Sequence, residues 1–144
     1  MLSVAPKNQR MAPEELINVA KAEAHDILMN IRSVTSIMIC STDGFALATF
    51  TKKEKLNDSK IAAVSSSILA MMSAFLNEIN LTGCHSINLD ADNGKAILTS
   101  IAGPHHPMLF VTLCNKDVLL GQLLYSLKSA SNTIIEADKK YTPN

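Results

Sequence analysis

Apolar residues recur at intervals of three and four through 14–32, at Leu16, Ala20, Ala24, Ile27, Leu28 and Ile31, while Glu14, Lys21, Glu23 and His25 take other angles. That period predicts a helix that buries one face, and Pro13 with Glu14 and Glu15 suits its N-terminus. β-Branched residues dominate 34–40, the turn cluster Ser41-Thr42-Asp43-Gly44 follows, and 45–50 completes a hairpin. A polar loop over 51–58 leads to a second helix beginning near residue 61, with Asn57, Asp58 or Ser59 as its cap and Gly83 beyond its end. Strands at 85–91 and 95–101 flank Asp92-Asn93-Gly94, whose Asn-Gly pair accepts the positive φ of a tight turn. A fifth strand at 108–114 follows Gly103-Pro104-His105-His106-Pro107. A third helix over 117–138 turns Leu119, Leu120, Leu123, Leu124, Leu127, Ile134 and Ile135 inward.

The order is αββαβββα, an α/β domain. In the first and fifth strands both alternating sets are apolar: Ile37 and Ile39 against Met38 and Cys40, and Leu109, Val111 and Leu113 against Met108 and Phe110. Both faces of those strands should therefore be covered. In the third strand His85, Ile87 and Leu89 alternate with Ser86, Asn88 and Asp90, the pattern of an edge strand with one wet face. The expected architecture is a five-stranded, mainly antiparallel sheet with helices 1 and 3 on one face and helix 2 on the other. It spans 13–138, with a lead-in at 1–12 and a tail at 139–144.

The second helix departs from the usual surface pattern, because 61–77 (IAAVSSSILAMMSAFLN) carries no charge. A one-sided helix on a small protein normally shows charge to water. Ile61, Val64, Ile68, Met72, Phe75 and Ile79 form a sheet-facing set. Ala63, Ser67, Ala70 and Ala74, with Ser66 and Ser73 alongside, make a small-residue stripe that lets a second helix approach closely. A symmetric copy needs only one self-complementary patch. The alternatives are that the 51–58 loop or a terminal segment folds over this face, or that it is plain alanine-serine surface.

Composition narrows the classes. The 144 residues are 47% hydrophobic and 18% charged, with thirteen basic and thirteen acidic side chains. One domain with a real core follows, and no net field draws in nucleic acid or an anionic membrane. Cys40, Cys84 and Cys114 are odd in number and lie in or beside apolar runs, as expected of buried, reduced thiols in a cytoplasmic protein. The first residues lack a signal-peptide core. Three consecutive serines and the shortness of the charge-free stretch argue against direct membrane insertion.

Ser-Thr-Asp-Gly-Phe-Ala-Leu-Ala at 41–48 resembles the Asp-Gly hairpin of the Roadblock/dynein light chain family, which includes bacterial MglB-type regulators of Ras-like GTPases. Leu119-Leu120-Gly121 resembles that group's Leu-Gly signature, and the element order matches over about residues 13–136. The resemblance implies a homodimer in which the middle helices pair and edge strands meet. The dimer-interface residues would be Ala63, Ser66, Ser67, Ala70, Ser73, Ala74, Asn77, Ile87 and Leu89. It further implies a noncatalytic platform that binds and regulates a small Ras-like GTPase. A scaffold or light-chain adaptor that assembles complexes without altering GTP turnover is the alternative.

No catalytic constellation competes with that reading. His105-His106 and Cys84-His85 are adjacent pairs without zinc-type spacing, Asp90 and Asp92 flank a turn, and Gly94-Lys95-Ala96 lacks the rest of a P-loop. Neither metal nor cofactor is expected, and the chain is not itself a GTPase. Arg10 and Arg32 are its only arginines, and neither is placed to serve as an arginine finger.

Overall fold

A computed structural model describes residues 12–141. The elements are α1 (Glu14–Asn30), β1 (Val34–Ser41), β2 (Ala46–Thr51), α2 (Asp58–Glu78), β3 (Ser86–Ala91), β4 (Gly94–Ile101), β5 (Met108–Cys114) and α3 (Leu120–Asp138). This is the expected αββαβββα order. The lead-in at 1–12 lies outside the described residues except for Ala12, as do positions 142–144 of the tail.

The sheet runs β2-β1-β5-β4-β3, and every pairing is antiparallel. β5 sits at its centre, so both its faces are covered: Met108 and Phe110 face α1 and α3, whereas Leu109 and Val111 face α2. The larger core lies under α1 and α3, where all six apolar positions expected of the first helix are buried. On the α2 side, the buried apolar cluster among the described residues is Met38, Cys40, Leu98, Leu109 and Val111 of the sheet with Ala62 of α2 itself. The α2 layer is thus held by far less apolar burial.

Connectivity explains that imbalance. β2 and β3 are the two outer strands, so α2 must carry the chain across the whole sheet. Five strands place the outer two about 19 Å apart, and a 21-residue helix is about 31 Å long. The helix overhangs the sheet it crosses. The α2-side face of β3 is nonetheless covered only in part: Ile87 is half-buried, but Leu89 is exposed, as is His85 just before the strand. Cys84 is half-buried, unlike Cys40 and Cys114.

The third helix also differs at its start. Asn115 to Val118 form a turn in which Val118 donates to the Asn115 carbonyl, and Val118 enters the core. Leu119, expected inside, becomes the N-cap residue and is 71% exposed. Leu123, Leu127 and Ile134 are buried as expected, joined by Ala130, Ser131 and Asp138.

Thr112 lies on the α1/α3 face with its register partners Ile37 and Ile97, is fully buried, and its hydroxyl has no hydrogen-bond partner. An unpaired buried hydroxyl costs about 1–3 kcal/mol. Thr112→Val, which keeps the shape, is expected to stabilise the fold by about 1 kcal/mol and raise Tm by about 2–4 °C in a thermal melt.

Candidate functional site

The charge-free helix is a self-sufficient element. Asn57 Oδ1 accepts from the Lys60 amide at 3.1 Å, and Asp58 adds an acid to the first turn. At the other end Asn80 takes φ 62°, Leu81 donates to the Leu76 carbonyl at 2.8 Å, and Asn80 donates to that of Asn77 at 3.1 Å. These two bonds make a Schellman close. Both termini are satisfied within this chain, so α2 offers its outer face as a formed surface.

That face is rotated from the expected one. Ala62 and Ser65 are the buried positions, and Ile61, Ile68, Leu69, Met72 and Leu76 are half-buried. Val64 (49% exposed), Phe75 (56%) and Ile79, assigned to the sheet by their spacing, face outward instead. The small pair Ala62 and Ser65 lets the helix backbone sit close to the sheet, and its larger side chains flank that contact or turn away. With no charge on either side, periodicity alone could not fix the rotation.

Ala63, Ser67, Ala70, Ser73, Ala74 and Asn77 are exposed, as the stripe reading requires, and Ser66 is half-buried. Ser66 is turned toward the β1–β2 turn, where its Oγ stands 3.1 Å from the position a Cβ on Gly44 would occupy. Gly44 has φ 98°, which favours glycine, and it lies directly beneath α2. The Asp-Gly hairpin thus joins a turn requirement to close helix approach. Beside the stripe runs a ridge of Val64, Met71 (58% exposed) and Phe75, spaced by seven and four. These are the site residues that sequence reasoning missed as outward-facing; their spacing and the absence of charge were the available signal.

Ile87 and Leu89 share the α2 side of the sheet, since Ile87 pairs in register with Leu98 of the core beneath α2. Leu89 is 43% exposed, and β3 pairs only with β4, leaving its other edge open among the described residues. The nine expected interface residues therefore lie on one side of the molecule, seven on α2 and two on β3.

Two of the three thiols are poorly suited to nucleophilic chemistry. Burial, and secondarily the charge of Asp58, pushes the Cys40 thiol up to about 12, and burial also raises Cys114. Thiols held protonated are poor nucleophiles. Among the described residues no three metal-ligating side chains cluster. By length and composition alone α2 is long and apolar enough to cross a membrane. The expectation that the charge-free stretch is too short and polar to span one is corrected on that point; its placement here rests on its packing over the sheet.

The Roadblock/LC7 domain model matches residues 21–106, from within α1 to the β4–β5 loop. The chain belongs to the Roadblock/LC7 family. Its fold is similar to Myxococcus xanthus MglB, with a TM-score of 0.82 and 12% identity over 93% of this chain and 97% of that one. The gliding protein MglB of Thermus thermophilus follows at 0.75 and 12%, over 91% and 96%. A Roadblock/LC7 domain from Streptomyces avermitilis gives 0.72 and 10%, over 81% and 94%. No curated protein matches by sequence. Within this Roadblock/LC7 fold the Leu-Gly signature has no steric basis at its glycine, because a Cβ on Gly121 would meet nothing within 4 Å.

Proposed function

We propose that this Roadblock/LC7 protein is a noncatalytic homodimeric platform that binds and regulates a small Ras-like GTPase in the cytoplasm. The observation that carries the reading is the outer face of α2: a capped helix with an exposed ridge of Val64, Met71 and Phe75 beside a stripe of small residues, without a charge from Ile61 to Asn77. Leaving such a patch in water forfeits burial that a second helix would supply. The open edge of β3 on the same side supports a pairing that extends the sheet. An MglB with a tetrameric arrangement, TM-score 0.76 and 12% identical, shares the fold.

Two measurements test it. In analytical ultracentrifugation the protein should sediment at twice the chain mass, and Ala70→Glu, which puts a charge into the stripe, should shift it to the monomer by at least a hundredfold in Kd. A monomeric wild-type protein at micromolar concentration removes the platform. Hydrolysis and exchange rates of a Ras-like GTPase with and without the protein then separate regulation from scaffolding, since an adaptor binds without changing either rate. Arg32 is exposed in the turn between α1 and β1, and Arg10 lies outside the described residues. Regulation acts by repositioning the GTPase's own residues, so replacing both arginines with alanine should leave the rate effect within twofold; a large loss would indicate an arginine finger.

A further inference from the structure

A small cavity lies under the N-terminal turns of α2, lined by Ser36, Met38, Thr49, Leu56, Asp58 and Ile61 with Val111 and Leu113 beside them. Two of the lining residues each carry an oxygen, Thr49 Oγ1 and Asp58 Oδ1, that is shielded from solvent and has no hydrogen-bond partner in the protein. They come from different layers. Thr49 pairs in register with Met38 and so points to the α2 side of the sheet, while Asp58 opens the helix. The cavity leaves the centre of a water about 10 Å³ in which to move, which is room for one molecule.

We propose that this cavity is a binding site for a single long-lived water that joins α2 to β2. The hydrogen-bond count closes with one water. The Thr49 hydroxyl donates to the water oxygen, the water donates to Asp58 Oδ1, and the buried Ser36 hydroxyl is a third polar group on the wall. Apolar occupants fail, because a carboxylate oxygen shielded from solvent and left unpaired is costly. The site therefore supplies a polar attachment where apolar attachment is thin, since α2 buries only Ala62 and Ser65. It does not depend on α2 pairing or on a GTPase, so its failure would leave the proposed function untouched.

The sign of one substitution tests it. At Thr112, where the hydroxyl is unpaired in an apolar core, valine should stabilise. At Thr49 valine removes the donor that holds the water and strands the Asp58 oxygen, so Thr49→Val should lower Tm by about 2–4 °C, while Thr49→Ser restores it. Water-proton magnetic relaxation dispersion on the wild-type protein should count one more long-lived water than in Thr49→Val, and the same number as in Thr49→Ser. A rise in Tm for Thr49→Val, an unchanged water count, or a high-resolution crystal structure of the wild type without a water in this cavity would overturn the proposal.

Discussion

Gly103→Ala is expected to destabilise the protein by about 3–5 kcal/mol, enough to leave a domain of ordinary stability partly unfolded at 37 °C. A Cβ at this buried position would run into Asp138 Oδ2, with Cγ 3.1 Å and Cβ 3.2 Å away. Asp138 cannot retreat. It is the last residue of α3, it is fully buried, and its Oδ2 accepts from the amides of His105 at 2.9 Å and His106 at 2.8 Å. Its Oδ1 meets His106 Nδ1 at 2.8 Å. Pushing the carboxylate aside breaks the set together and strands two amides in a part-buried loop. Urea denaturation measures the effect as a lower midpoint at unchanged slope; a midpoint within experimental error of wild type would mean that the β4–β5 loop relaxes around the methyl group.

What the sequence made legible divides along the range of the forces involved. The hairpin at Asp43-Gly44, the Asn57 cap and the period of α1 are local, and each lies where the pattern put it; the turn between Ala91 and Gly94 also lies where expected, but neither Asn93 nor Gly94 takes the positive φ that the Asn-Gly pair suggested. The layer order followed from the two-sided apolar content of β1 and β5. The rotation of α2 was not legible. Charge normally marks the wet side of a helix, and between Ile61 and Asn77 there is none to mark it. Leu119 was misplaced because three leucine-rich turns satisfy a helical period whichever residue begins it, whereas Val118 was drawn inward by the preceding turn.

The Asp138 latch was missed for a different reason: its partners lie 32 and 33 residues away in sequence. One sign was present, since an acid at a helix C-terminus opposes the helix dipole and calls for another purpose. In the sequence His105 and His106 are an adjacent pair in a connection, without zinc-type spacing. The amides of both and the ring of His106 close on one carboxylate, and Tyr141, in the expected tail, stands edge-on to that ring at 6.4 Å. The candidate interaction site was legible as a helix and as a stripe, yet its apolar ridge of Val64, Met71 and Phe75 depended on the rotation that the pattern left open.

Asp138→Asn should lower stability by about 1.5–3 kcal/mol at neutral pH, the usual worth of hydrogen bonds to a charged group, and that loss should vanish in acid. Burial pushes the Asp138 carboxyl up, but the His106 amide, the His106 ring and the His105 amide together outweigh it and hold the group below the usual carboxylate range. A depressed folded value means that the unfolded chain takes up the proton first. The contribution is therefore fully present above the unfolded value of about 3.9, and it is lost as pH falls through the lower folded value. Urea titrations of both proteins from pH 7 to pH 2 should show a constant gap down to about pH 5 and a closing gap below about pH 4. A gap that stays constant as pH falls below about 4 would assign the loss to shape and not to charge. The consequence reaches the turn beneath α2, because the latched loop leads directly into Met108, which pairs with Ser41 at the start of the Asp-Gly turn. Gly44 of that turn lies under Ala63 and Ser66 of α2. Losing the Asp138 charge is therefore expected to loosen the end of the sheet on which α2 rests, and hydrogen exchange in the 102–107 loop and the 41–44 turn should rise in Asp138→Asn before it rises in β5.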